Sequence, residues 1–150
     1  MRPLARSATP AAIAALRQAT VLWPKRRRSS DGLLPSAAHV AQSPHSDHND
    51  GFAFDLSHDP AGGVDCNVLF RRFRDDPRVE YLIWNRRIWS KQRGERSYTG
   101  GNPHDKHIHV SIKRDGVAHL NTKTWFYWVL GKPTRRAKIK AALQRPKKKK

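Results

Sequence analysis

The chain is poor in cysteine, in long apolar runs and, at its two ends, in acid, and each shortage excludes something. Its 150 residues include one cysteine, Cys66. A lone thiol rules out an intramolecular disulfide and a multi-cysteine zinc cage. No apolar run approaches the roughly 18 residues of a membrane-spanning helix, which excludes an integral helical membrane protein. The N-terminus also falls short of a secretory signal. Only six apolar residues separate Pro10 from Arg17, fewer than the ~7–15 of an h-region. Apolar residues make up 37% of the chain, low for a globular protein yet above what disorder gives.

Acid is missing where base is abundant. The formal charge is +18, from 30 Lys plus Arg against 12 Asp plus Glu. Residues 1–30 carry seven basic residues and residues 131–150 carry ten, with no acid in either stretch. The body between them holds thirteen basic residues against twelve acids, and all eight histidines. A nearly neutral, histidine-rich body with two cationic ends predicts a polyanionic neighbour: nucleic acid, anionic lipid or an acidic cell-wall polymer.

The pattern predicts a small α+β domain, with an antiparallel sheet flanked by helices. Thr9 as cap, Pro10 in the first turn and Ala12, Ala15, Leu16 and Ala19 at helical spacing predict an N-terminal helix ended by Pro24. Ser29 to Pro44 reads as a long loop, as does polar, glycine-containing Lys91 to Asn102. Strands are expected at Phe52–Leu56 and Val79–Trp84, the latter partnered by Ile88–Trp89 across Asn85-Arg86-Arg87. Val64, Val68, Leu69 and Phe73 form a helical stripe closed by Asp75-Asp76-Pro77. His107 to Lys113 alternates most cleanly, with Ile108, Val110 and Ile112 on one face and His107, His109 and Ser111 on the other. Trp125 to Leu130 is apolar without a clear period, and Lys132 to Gln144 reads as a basic amphipathic helix. The domain plan is 1–22 as helix and basic arm, 23–130 as the body, and 131–150 as basic helix and lysine tail.

Two strand faces stack residue types that bind metals. His48 and Asp55 are separated by six residues including Gly51, which permits a sharp turn between them. Small Ala53 beside Asp55 leaves room for an approaching group. His107 and His109 sit two apart on one strand face, with Cα atoms roughly 6.5 Å apart. Two histidines and one carboxylate form a catalytic zinc set that leaves a fourth position for water.

Ser46-Asp47-His48-Asn49-Asp50-Gly51-Phe52-Ala53-Phe54-Asp55 resembles, at every fixed position, the Ser-x-His-x-x-Gly-x-Ala-x-Asp signature of zinc D-alanyl-D-alanine peptidases. These belong to the lysostaphin, carboxypeptidase and hedgehog superfamily. His107-Ile108-His109 is similar to that superfamily's downstream His-x-His. The text around Ser30-Asp31-Gly32, Asp76-Pro77-Arg78-Val79 and Asn102-Pro103-His104 is similar to phage endolysin and actinobacterial cell-wall peptidase domains. The resemblance spans about residues 23–113. It implies zinc held by His48, Asp55 and His109, a supporting Ser46, and His107 beside the metal. The carboxypeptidase branch places a glutamate three residues before the last ligand, where this chain has Lys106. The base is then Asp105 or His107, and His107 with Asp105 as its partner is favoured. His104 is a candidate to support the ligands, as is His39.

The resemblance implies a zinc peptidase acting on peptidoglycan, made in the cytoplasm and acting at the cell wall or periplasm. Its basic ends would hold it on an anionic wall polymer or membrane surface, and a monomer is expected. Two other readings stand beside it. One is a zinc-binding wall module without turnover, suggested by Lys106. The other is a basic nucleic-acid binder or nuclease, which is disfavoured because the tryptophans are not interleaved with the basic runs. Arg26 to Arg28 could supply a clamp for a substrate carboxylate, and Tyr98 and Trp89 could line a cleft.

Overall fold

The computed structural model describes residues 7–130. Five antiparallel strands form one sheet: β1 (Ala53–Ser57), β2 (Val79–Trp84), β3 (Arg87–Ser90), β4 (Gly94–Ser97) and β5 (His107–Ile112), in the order β1-β5-β2-β3-β4. Among the described residues four α-helices accompany it: α1 (Pro10–Leu22), α2 (Ala37–Gln42), α3 (Cys66–Arg72) and α4 (Tyr127–Leu130). This is the expected α+β architecture. Among the described residues no helix is long and apolar enough to cross a membrane.

Alternation along the strands decides which face is core. Phe54 and Leu56 of β1, Leu82 and Trp84 of β2, and Ile108, Val110 and Ile112 of β5 point to one side. There they meet Leu69 and Phe70 of α3, Trp125, Phe126 and the alanine face of α1. Ala11, Ala12, Ala15 and Ala19 are fully buried, and their small side chains let the helix lie close to β1. Helix α1 therefore shares the core of the sheet. A β-bulge in β2 between Val79 and Tyr81 keeps both Val79 and Leu82 inward and turns Tyr81 to the opposite face, beside Ser111.

A buried arginine closes the core. Arg78 donates to both oxygens of Asp76 (3.0 and 2.8 Å) and to the carbonyls of Asn121, Lys123 and Thr124. Its guanidinium lies 3.7 Å from the Trp125 ring centroid, a cation–π contact in a dry setting. This clamp fixes the segment that delivers Trp125 to α1, where the indole N–H donates to the Ala11 carbonyl at 2.9 Å.

Several local expectations are corrected. The stretch expected to be a loop at 29–44 contains α2, capped by the Ser36 hydroxyl accepting from the His39 N–H, and Gly32, which bridges Asp55. The stretch 91–102 contains edge strand β4, whose sequence Gly-Glu-Arg-Ser carries no apolar period. The β2–β3 turn is two residues, Asn85 and Arg86, both at positive φ, so Arg87 already belongs to β3. Thr9 holds the N-cap position of α1, but its hydroxyl makes no capping bond and is buried without a partner. The 132–144 helix, the lysine tail, Arg2 and Arg6 lie outside the described residues.

Candidate metal centre

Strand register builds most of the site. In the β1–β5 ladder Asp55 stands directly opposite His109, a pairing that brings Cα atoms to about 4.5–5.5 Å. Both side chains lie on the face away from the core. His48 comes from a 3₁₀ turn, Asp47–Asp50, capped by the Ser46 hydroxyl, which accepts from the His48 N–H at 3.3 Å. Gly51 ends that turn at φ 78°. A Cβ there would sit 2.8 Å from the Ser7 carbonyl oxygen and 2.9 Å from Ala8 Cα. Only glycine fits, and the turn drops His48 onto the β1–β5 face.

Three atoms converge. His48 Nε2 lies 3.0 Å from Asp55 Oδ1 and 3.2 Å from His109 Nδ1, and His109 Nδ1 lies 3.2 Å from Asp55 Oδ1. The far side of each ring sets its tautomer. His48 Nδ1–H donates to the Leu33 carbonyl at 2.8 Å, so its Nε2 turns a lone pair to the centre. His109 Nε2 lies 2.8 Å from the Ser111 hydroxyl, and with the proton there Nδ1 is bare as well. Two imidazole lone pairs and a carboxylate oxygen facing one another repel unless a proton or a cation joins them. Tetrahedral zinc with bonds of 2.0–2.1 Å spaces its ligands about 3.3–3.4 Å apart, close to these edges. The donor set and its spacing fit a divalent ion such as zinc.

The electrostatics agree. Burial alone would raise the Asp55 carboxyl, but hydrogen bonds and charge from His109 and His48 hold it well below the usual carboxylate range. Burial would lower His48, yet Asp55 outweighs it and the ring is raised above its ordinary value. Burial, with the charge of His109 and His48, lowers His107 despite Asp55. Burial and the charge of His109 push His104 down to about 4. His104 and His107 are thus neutral acceptors at neutral pH.

All three converging residues line a cleft of about 680 Å³, together with Ser46, His104, His107, His39, Tyr81 and Tyr98 among others. His107 Nε2 lies 3.7 Å from the outer carboxylate oxygen, Asp55 Oδ2. His104 is held at φ 53°, with its ring against His107, His109 and Tyr98. Its Nδ1–H donates to the Asn102 carbonyl at 2.9 Å. The carbonyls of Pro103 and His104 accept from Arg86 and Asn85 of the β2–β3 turn, which hold this wall in place. Ser46 meets His39 Nε2 at 3.4 Å.

Asp105 is not in the cleft. It is exposed and borders a neighbouring depression with Ser30, Lys106 and His107. Arg26 is 4% exposed and donates to both oxygens of Asp31 and to Thr20, so it does not face the cleft. Trp89 packs against the core and Arg74 instead. Sequence reasoning missed Gly32, Asp47, Tyr81, Ser111 and Arg114. Ser111 carried a signal, since it follows His109 by two on the same strand face, and Asp47 directly precedes His48.

Fold and site together define a small α+β domain with a two-histidine, one-aspartate candidate metal centre. The chain belongs to the family described as VldE, C-terminal domain, whose model matches residues 5–109. That span runs from just before α1 to the third converging residue, His109. No curated protein and no solved structure matches the chain. The zinc-peptidase resemblance accordingly rests on the ten-residue motif and the histidine pair.

Proposed function

We propose that this protein is a zinc-dependent peptidase that hydrolyses peptide bonds in peptidoglycan. The observation that carries the reading is the convergence of His48 Nε2, Asp55 Oδ1 and His109 Nδ1 at 3.0–3.2 Å on the wall of the cleft. The cleft's size falls in the range of small-ligand sites, about 300–1,000 Å³. Zinc, when bound, acidifies a water toward neutral pKa and polarises a carbonyl.

The chain's own residues do the rest. His107, neutral and 3.7 Å from Asp55 Oδ2, accepts the proton of the attacking water and returns it to the leaving amine. Asp105 favours the protonated form of His107 from outside the cleft. His104 and Tyr98 form the wall against which the peptide lies, and Ser46 steadies the His48 turn. The basic ends hold the enzyme on an anionic wall polymer or membrane surface, with the protein acting as a monomer at the wall.

The test is mass spectrometry of muropeptides released from purified walls by wild type and by His48→Ala. Soluble muropeptides from wild type alone support the reading. Zinc binding without any released fragment would instead favour a non-catalytic wall module, consistent with Lys106 at the position of the carboxypeptidase glutamate.

A further inference from the structure

One rung of the sheet runs from the candidate metal centre to the edge strand. Asp55 stands opposite His109, His109 opposite Ile83, Ile83 opposite Ile88, and Ile88 opposite Arg96. Directly opposed residues of antiparallel strands share a face, so all five belong to the face that carries the cleft. Ile83 itself lines the cleft, as does Tyr98, two residues beyond Arg96. The rung is therefore a track: the converging donor atoms, two isoleucines, then a guanidinium on edge strand β4.

Arg96 is half-buried, and its Nε is buried with no hydrogen-bond partner among the described residues. Its neighbour Glu95 does not answer it. Glu95 stands opposite Trp89 on the core side of the sheet, where Arg74 and Arg87 hold its two oxygens at 2.8 and 2.9 Å. Arg114, just past β5, is by contrast already committed to Asp47 and Asp50 at 2.7 and 2.8 Å. Among the described residues that line the cleft, none is a lysine or arginine. Arg96 thus offers a planar donor fork, partly desolvated and with an unanswered N–H, at the end of an apolar track that starts at the centre. A guanidinium in that setting matches a carboxylate, which can take two parallel hydrogen bonds from it.

We infer that Arg96 binds a carboxylate of the peptide substrate and so selects an internal bond for cleavage. The inference rests on the peptidase reading above. Three strand spacings separate His109 from Arg96, about 14 Å between Cα atoms. Extended peptide advances about 3.3 Å per residue, so that span takes about four residues, or about two when the arginine is laid toward the centre. A free D-alanyl-D-alanine terminus, cut between its two residues, carries its carboxylate on the residue next to the bond. That carboxylate falls short of Arg96. A carboxylate two to four residues from the cut reaches it, with Ile83 and Ile88 beneath the intervening chain. The substrate then lies across the strands, and the reaction is that of an endopeptidase.

The experiment is steady-state hydrolysis of a purified cross-linked muropeptide dimer, beside the same dimer with its carboxyls converted to carboxamides. A linear stem peptide ending in D-alanyl-D-alanine is the third substrate. Wild type, Arg96→Gln and Arg96→Lys are assayed as full chains, with zinc content and melting temperature measured for each. In Arg96→Gln the KM for the native dimer should rise roughly 10–100-fold, the range for losing a charge-assisted hydrogen bond, with kcat and zinc content little changed. Wild type should show a similar rise on the amidated dimer, and Arg96→Gln no further rise there, because the pair has already lost one partner. Arg96→Lys should recover part of the loss. An unchanged KM in Arg96→Gln overturns the inference. So does a rise that is equal on both dimers, or one that comes with lost zinc or a lowered melting temperature. Wild type that releases D-alanine from the linear peptide and leaves the dimer intact overturns this inference while the peptidase reading stands. Wild type that cleaves none of the three substrates defeats the peptidase reading and the inference with it.

Discussion

Gly32 is the most informative single position outside the three converging residues. It pairs with Asp55 through two backbone hydrogen bonds, Gly32 N–H to Asp55 O at 3.1 Å and Asp55 N–H to Gly32 O at 2.8 Å. Its backbone is outside the left-handed region, and a Cβ added there would lie 2.9 Å from Asp55 Oδ2. Gly32→Ala should therefore keep the backbone bridge but push the carboxylate by about half an ångström to regain ordinary contact. The other oxygen, Oδ1, is the one that meets His48 and His109, so the push rotates a converging group. A 10–100-fold weaker zinc affinity is expected, as for other changes that misorient a metal-binding group. At zinc equal to 100 times the wild-type Kd, binding adds about 2.7 kcal/mol to stability, and that gain falls to about 1.4 or 0.4 kcal/mol for the variant. At about 4 °C per kcal/mol the zinc-induced rise in Tm drops from about 11 °C to about 6 or 2 °C. Thermal unfolding with and without zinc measures both. A Gly32→Ala protein that keeps the full zinc-induced shift would refute the reasoning.

Three further outcomes are expected. Burial pushes the Cys66 thiol up to about 12, so it stays protonated up to strongly alkaline pH. A thiol-reactive dye should leave the folded protein unlabelled at pH 8 and label it promptly in denaturant, and rapid labelling of the native chain would contradict this. Arg78→Ala leaves the buried Asp76 charge unpaired and frees the 121–125 segment. It should cost about 3–5 kcal/mol in urea unfolding, and Arg78→Lys should recover little because an ammonium cannot reproduce the fork. Gly51→Ala forces a side chain into left-handed backbone and against the Ser7 carbonyl. It should lose at least about 1–3 kcal/mol, and near-wild-type unfolding would show that the turn can move.

The parts of the site legible in the sequence were those written at short period. His107, His109 and Ser111 alternate with Ile108, Val110 and Ile112, and a period of two has only one structural meaning. The Ser46–Asp55 segment was legible because its glycine and small Ala53 are spaced for a turn onto a strand. Their meeting across β1 and β5 followed from both strands needing to bury an apolar face. Other features had no local signature. Strand β4 is a polar edge strand that buries nothing periodic, and α2 has no buried residue. Gly32 looked like turn punctuation because its partner, Asp55, is remote in sequence. Arg114 meets Asp47, and Tyr81 stands opposite Ser111, only once the sheet has formed. Asp105 looked suitable by spacing, but the chain turns its carboxylate outside the cleft.

The account stands on three converging donor atoms that could hold a divalent cation between them. The direct test is metal analysis of the purified full chain by mass spectrometry, with His48→Ala and His109→Ala prepared in parallel. The account predicts close to one zinc per chain in wild type and loss of that zinc in both variants. Metal-free wild type that takes up no zinc on addition, or variants that retain the wild-type complement, would contradict it.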